Sequence, residues 1–323
     1  MKIAFFEITD LEKEKFSESF KDYDLLFFND LIQNVDLNKY KSCDIICTFI
    51  YSKVSENILK ECQRLKAVLT RSTGTDHVDK LYCEKNNIEV KNVPTYGENT
   101  VAEHTMALLL SISRKIEKSF ARIREGEFST VGLQGFDLKG KTIGLIGCGR
   151  IGLHFARMAK SFGMNVLVYD INPDAFLADV IGYSYVTLDK LFKSSDIISL
   201  HAPYNNSTHH IINEDSINKM KDGVVIINTA RGGLIDTNSL LKAVNSGKIS
   251  GVGLDVIEGE GALVEETIFN SPVAGAAKLI KQNQKLMTND NVVITPHNAF
   301  NSTEAVNRII NTTIQNIKII SNK

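Results

Sequence analysis

Short apolar runs alternate with longer polar stretches through the first part of the chain. Runs at 3–8, 25–28, 45–50, 67–70 and 88–90 are rich in Ile, Val and Phe, and the segments between them, such as 10–21 and 54–64, are charged and long enough for helices. That alternation predicts βαβ units on a parallel sheet. The texture changes near Glu98. Residues 101–116 predict a long helix with Thr105, Leu108, Leu109, Ile112 and Ile116 on one broad face. Its Ala- and Leu-rich middle carries few charges before Arg114, so it is either buried in the chain's own core or pressed against another subunit. Gly126, Gly132, Gly135 and Gly140 punctuate the loop that follows. From Lys141 the alternation resumes, with strands expected at 142–146, 166–169, 197–200, 224–228, 252–256 and 292–295. Helices between them include 151–162 and 237–245, the latter closed by Ser246-Gly247. This is the succession a doubly wound dinucleotide fold needs.

Length and composition sharpen that picture. At 323 residues the chain is too long for one comfortable core, and 43% apolar with 23% charged residues describes a folded globular protein. A formal net charge of −1 provides no global basic field, which argues against nucleic-acid and membrane-surface partners. The five cysteines, Cys43, Cys47, Cys62, Cys83 and Cys148, are odd in number and contain no C-x-x-C pair, a poor basis for disulfides or zinc. The apolar opening before Glu7 is too short for a signal peptide, and no apolar run approaches the ~18 residues of a membrane span. The expectation is a soluble protein of a reducing compartment, the cytoplasm.

Gly147-Cys148-Gly149-Arg150-Ile151-Gly152 fits G-x-G-x-x-G. It follows the apolar run 143–146 and opens an amphipathic helix carrying Ile151, Phe155, Met158, Ala159 and Phe162 on one face. The next strand ends in Asp170, eighteen residues beyond Gly152. Gly147 allows the tight turn, Gly149 lets the backbone approach a pyrophosphate, and Gly152 lets helix and strand pack closely. The helix N-terminus favours the phosphate charge. Asp170 can accept hydrogen bonds from a ribose and would repel a 2′-phosphate, so the expected cofactor is NAD.

Three polar residues follow later strands, at the ends where ligands bind in open α/β sheets. Arg231 lies in Asn228-Thr229-Ala230-Arg231-Gly232-Gly233, Glu260 follows the stretch from Gly253, and His297 follows Val292-Val293-Ile294-Thr295-Pro296. An Arg fork anchors a carboxylate, a His gives a proton to a ketone oxygen, and a carboxylate orients the imidazole and favours its charged form. That is the set a hydride reduction of a 2-keto acid requires.

At these residues the sequence resembles the D-isomer-specific 2-hydroxyacid dehydrogenase family. The matching stretches begin with Arg71-Ser72-Thr73-Gly74-Thr75-Asp76-His77-Val78-Asp79, Val93-Pro94-Thr95-Tyr96 and Ala102-Glu103-His104. They continue with residues 138–152, 228–233 and 253–260 and end with Thr295-Pro296-His297-Asn298-Ala299-Phe300. The resemblance covers nearly the whole chain. It implies Arg231, Glu260 and His297 as catalytic trio, and Thr73 and Gly74 as backbone donors to the substrate carboxylate. Asp255 would hold the nicotinamide amide. His201, Ala202 and Pro203, with Thr208, Thr229 and Ala230, would line the cofactor groove. The D-lactate dehydrogenase branch is nearest, because Tyr96 stands where it carries a pocket tyrosine, Phe300 fits its aromatic beside the substrate methyl, and 37 positions separate Glu260 from His297. Asn301 departs from the second aromatic usual there.

The fold implied is a Rossmann-type NAD-binding domain over 99–296. A smaller flavodoxin-like substrate domain would be built from 1–98 and 297–323, with the keto acid entering between the two. The resemblance also tips the helix near 101–116 towards a homodimer contact. Other readings stay open: the same chemistry on glyoxylate, hydroxypyruvate or a branched-chain keto acid, or an NAD(H)-sensing interaction protein. His77 and His104 read as structural, His209 and His210 lack a third metal ligand at a convincing spacing, and Cys148 reads as packing. No metal is expected.

Overall fold

The computed structural model describes residues 1–260 and 276–322. The chain divides into two compact units, Met1–Tyr96 with Asn301–Lys323, and Gly97–Phe300. In the first, β1 (Lys2–Phe5), β2 (Asp24–Phe27), β3 (Ile45–Thr48), β4 (Ala67–Thr70) and β5 (Glu89–Lys91) form a parallel sheet in the order β2-β1-β3-β4-β5. That is the flavodoxin-type order. The second contains β6 (Thr142–Ile146), β7 (Asn165–Tyr169), β8 (Ser184–Tyr185), β9 (Ile197–Leu200), β10 (Val224–Asn228), β11 (Ile249–Leu254) and β12 (Val292–Ile294). These are parallel in the order β12-β11-β10-β9-β6-β7-β8, the Rossmann arrangement with a seventh strand appended. The α/β class read from the alternation is the class of the molecule.

Local chemistry explains the element ends. Thr9 and Glu12 cap the helix Asp10–Ser19 reciprocally, and Asp236 caps Thr237–Asn245 through the Ser239 amide. The expected helix over 54–64 contracts to Glu56–Leu59, because Cys62 and Leu65 continue the chain in tight turns. The two-residue edge strand β8 and the last helix, Thr303–Ser321, went unpredicted. That helix is capped by Ser302 and buries Ala305, Ile309, Ile310, Ile317 and Ile320 in the first unit. Residues 297–300, expected to belong with the first unit, group with the second. The His297 amide donates to Asp255 O, and the Asn298 and Ala299 amides donate to its carboxylate.

The long helix runs from Glu98 to Arg114, and Ala102, Met106, Leu108, Leu109 and Ile112 of its apolar face are buried in the second unit's core. A Cβ on Gly251 would lie 2.5 Å from Ile112 Cγ2, and one on Gly253 would lie 3.1 Å from Leu108 Cβ, so β11 accepts the helix only because it is bare there. The helix stops at Lys115, whose φ is +52°, and a second helix, Ile116–Arg124, begins. That next helix carries the exposed apolar stripe, Ile116, Phe120 and Ile123. No helix among the described residues is long and apolar enough to cross a membrane.

Candidate active site

Strand order reverses between β6 and β9, so their carboxyl ends flank the crevice where open α/β sheets bind ligands. Gly147 follows β6 with φ +88°, and a Cβ there would lie 2.7 Å from Ala202 N in the turn after β9. A Cβ on Gly149 would meet nothing within 4 Å, so this glycine faces open space at the start of the helix Arg150–Ser161. A Cβ on Gly152 would lie 2.8 Å from Gly147 O, which is the close packing the fingerprint requires. At the end of β7, Asp170 Oδ2 accepts from Cys148 N (2.6 Å) and Oδ1 from Asn172 N (2.8 Å). A bare, tight turn with an open glycine, a helix N-terminus and a half-buried carboxylate fits the pyrophosphate and ribose of a dinucleotide.

The other expected cofactor residues line this edge. Arg150 is exposed, with Nη1 3.4 Å from Glu98 Oε1, and Ile151 is half-buried. His201 Nε2 pairs with Ser199 Oγ at 2.9 Å, and burial pushes its pKa down to about 4, so the ring is neutral. Ala202 is buried and Pro203 exposed; Thr208 Oγ1 donates to Pro203 O. Thr229 Oγ1 pairs with Thr105 Oγ1 at 2.8 Å, and Ala230 N donates to Asn228 Oδ1. Cys148 is buried, and burial pushes its thiol up to about 11, which agrees with a packing role.

Arg231, Glu260 and His297 follow β10, β11 and β12, which are adjacent and parallel, so all three leave the same edge of the sheet. His297 Nδ1 and Glu260 Oε1 are 2.8 Å apart, both side chains partly exposed. Glu260 Oε2 accepts from the Ile257 amide at 3.3 Å, which closes a small turn around the carboxylate. His297 has φ +50°, a left-handed conformation that the surrounding bonds impose on a non-glycine residue. Those bonds converge on Asp255. Its Oδ1 accepts from Thr295 Oγ1 (2.5 Å) and Asn298 N (2.9 Å), Oδ2 accepts from Ala299 N (2.9 Å), and His104 Nε2 lies 3.5 Å from Oδ1. Burial alone would raise the Asp255 pKa, but the donors led by His104 outweigh it and hold the carboxyl below its usual range. Its side chain has no exposed surface, and what it visibly holds is the turn carrying His297. Arg231 Nη1 donates to Ala230 O at 2.7 Å, and Arg231 O is fixed by Asn228 Nδ2. Phe300 closes the His297 turn, half-buried.

In the first unit, Thr73 and Gly74 follow β4. Asn92 Nδ2 holds Thr73 O (2.7 Å), Ser72 Oγ holds Gly74 O (2.7 Å), and Thr73 Oγ1 donates to Val93 O. With both carbonyls turned aside, neither amide donates to another residue among those described. Tyr96 is half-buried, and its carbonyl accepts from Arg308 Nε.

Sequence reasoning read His104 as structural and His210 only as a poor metal ligand, and did not join His104 and Thr295 to Asp255 or His210 to Glu258 (Nε2–Oε1, 2.7 Å). Each acts through tertiary neighbours; the available signal was Glu258, two positions ahead of Glu260. Glu265 and Glu266, which follow Glu260 in the sequence, lie outside the described residues.

Residues 106–299 match the family model described as D-isomer specific 2-hydroxyacid dehydrogenase, NAD binding domain. A Schizosaccharomyces pombe protein named 2-hydroxyacid dehydrogenase homolog 2 is 36% identical over 98% of this chain and 95% of its own. The D-lactate dehydrogenase of Escherichia coli is 34% identical over 98% and 96%. Among solved structures, the D-lactate dehydrogenase of Aquifex aeolicus complexed with NAD and lactic acid is 37% identical, covers 99% of this chain and 95% of its own, and superposes with a TM-score of 0.90. Fold, cofactor loop and kinship agree, and the chain belongs to the D-isomer specific 2-hydroxyacid dehydrogenases, as an NAD-dependent oxidoreductase near the D-lactate dehydrogenase branch.

Proposed function

We propose that the enzyme reduces pyruvate to D-lactate, with His297 as proton donor, Glu260 as the group that holds it, and Arg231 as the carboxylate anchor. The observation that carries this reading is the 2.8 Å His297–Glu260 pair, at the same sheet edge as the Arg231 turn. When bound in the groove over residues 147–152, NADH supplies the hydride that adds to the carbonyl carbon. With Nδ1 engaged by Glu260, protonated His297 donates from Nε2 to the carbonyl oxygen and is left neutral. Arg231 grips the substrate carboxylate and stabilises the negative charge growing on the oxygen. Thr73, Gly74, Tyr96 and Phe300 are carried as further substrate residues, and Asp170 as the ribose acceptor.

Oxidation of the hydroxy acid needs neutral His297, so kcat falls with rising pH for reduction and rises for oxidation. Identical profiles in both directions would remove His297 from the proton step. A steady-state panel of NADH oxidation across pyruvate, glyoxylate, hydroxypyruvate and branched-chain 2-keto acids, with product chirality checked, tests the substrate; preference for any but pyruvate replaces it within the same chemistry. We further propose a cytoplasmic homodimer joined through the helix near 101–116 and the exposed Ile116, Phe120, Ile123 stripe that continues it. Five buried free cysteines suit a reducing compartment. Phe120→Lys is expected to yield monomers in light scattering, and an unchanged mass excludes that surface.

A further inference from the structure

Three loops meet beside the His297–Glu260 pair, those after β9, β10 and β11. Main-chain bonds join the first two: His210 N donates to Gly233 O (2.9 Å) and Ile212 N to Leu234 O (3.0 Å). The second presses on the third without any gap. A Cβ on Gly232 would lie 2.1 Å from Ile257 C and 2.4 Å from Glu258 N, so the Arg231 turn and the Glu260 loop share one backbone surface.

Glu258 ties all three together. Its Oε1 meets His210 Nε2 at 2.7 Å, and its Oε2 accepts from Thr237 Oγ1 (2.8 Å) and Thr237 N (3.3 Å), at the start of the helix that follows the Arg231 turn. Its carbonyl accepts from Asn283 Nδ2 (2.9 Å) on the helix Ala276–Met287. Two residues further on, Glu260 reaches His297. His210 itself is held in a left-handed conformation, φ +49°, with its ring stacked on His209 at 3.8 Å, so its aim at Glu258 is set by the backbone. Helix capping alone would need only the Thr237 contacts. The His210 contact adds a charge-assisted bond whose mechanical consequence is the position of residues 257–260.

His210, Asp236 and Glu258 also stand at ligand-like spacing. Both Glu258 carboxylate oxygens are already engaged, and Asp236 Oδ2 accepts from Ser239 N and Oγ, so the arrangement is a hydrogen-bonded brace and not a cation cage.

We propose that the Glu258–His210 pair is a positioning device for the reaction, holding the 257–260 loop so that Glu260 meets His297. It sets turnover rather than binding. The proposal rests on reading Glu260 and His297 as the acid–base pair. A misplaced catalytic group costs rate steeply, because the reacting geometry is narrow.

The test is steady-state reduction with the 2-keto acid that wild type turns over best, at saturating NADH. His210→Ala lowers kcat about tenfold, with the substrate KM and the NADH Kd within about twofold of wild type. His210→Gln, whose amide can donate to Glu258 Oε1, recovers most of kcat. In a His297→Gln background, adding His210→Ala changes kcat by less than about twofold, because the device it positions is gone. The proposal is overturned by an unchanged kcat in His210→Ala, by His210→Gln as slow as His210→Ala, or by equal losses in both backgrounds. Should His210→Ala not fold, Glu258→Gln decides: it keeps an acceptor for Thr237, and a kcat equal to wild type overturns the proposal. Failure of the underlying reading is recognised separately, by a His297→Gln enzyme as active as wild type.

Discussion

At the end of β1 the Glu7 carboxylate accepts the amides of Phe49 (3.1 Å), Tyr51 (2.9 Å) and Ser52 (3.0 Å), and Arg71 beyond β4 is fully buried. Its Nε donates to Glu12 at 2.9 Å and its Nη2 to the carbonyls of Phe6 and Glu7. At the ends of β10, β11 and β12 the charged groups Arg231, Glu260 and His297 are half-buried and keep a face to solvent. Both sheets are parallel, and both gather polar residues at their carboxyl edges. In the first unit those charges are turned inward and consumed as braces. In the second, the buried Asp255 carboxylate, with Thr295 and His104 beside it, holds the His297 turn, and Glu258 fastens the loop before Glu260, so the three charged side chains are braced from their neighbours. The difference teaches that charged groups can keep a face to solvent at a strand edge when neighbouring side chains hold their loops, whereas charges without such neighbours become the brace themselves.

The largest expected effect separates the two edges. His297→Gln lowers kcat by about 10³-fold, within the range for loss of a general acid, while fluorescence titration returns an NADH Kd within about twofold. A variant that loses binding in proportion would place His297 among the cofactor residues. On the braced side, Arg71→Met strands a buried Glu12 and costs about 3–5 kcal/mol in the first unfolding transition in urea. Destabilisation below about 1 kcal/mol would mean that the first unit's edge is not held by its charges.

Gly232→Ala falls between these, since its Cβ must displace the Ile257–Glu258 backbone. A kcat loss of up to about 100-fold is expected, with a smaller change in melting temperature than Arg71→Met produces. The His201 ring gives a pH signature of the second unit. Burial holds its pKa at about 4 against 6.5 in the unfolded chain, so between those values only the unfolded chain gains a proton. Stability therefore falls as pH drops from 6.5 to 4, by about 3 kcal/mol. His201→Asn flattens that slope in urea unfolding at stepped pH; an identical slope would assign the acid loss elsewhere. Smallest is the response of the thiols. Burial raises Cys43 to about 12 and the other four to about 11, so native protein reacts with a thiol reagent only as fast as it unfolds.

Much of the second unit was legible because its signals are local. Strands 142–146, 197–200 and 224–228 coincide with β6, β9 and β10, since unbroken apolar runs between turn residues leave little choice. The G-x-G-x-x-G turn likewise carries its own geometry in its glycines. Periodicity marked an apolar side of the long helix without saying what it packs on, and within the chain that surface is set by the bare glycines of β11. The last helix and the two-residue β8 escaped because a polar-interrupted or very short segment acquires its identity from the surface it packs on.

Of the site, the residues that touch ligands in the proposed mechanism were visible one by one, each just past a strand end. Their supports were not. His297 comes to Asp255 from the next strand, and His210 comes to Glu258 from the loop after β9, so only the order and register of the adjacent strands makes these pairs neighbours. Sequence alone determined the two parallel α/β units, the cofactor turn and the kinds of reactive group, because those follow from pattern and residue chemistry along the chain. Tertiary structure decided which charges are buried as braces and which remain half-exposed, because burial and hydrogen-bond partners belong to the packed edge and not to any stretch of sequence.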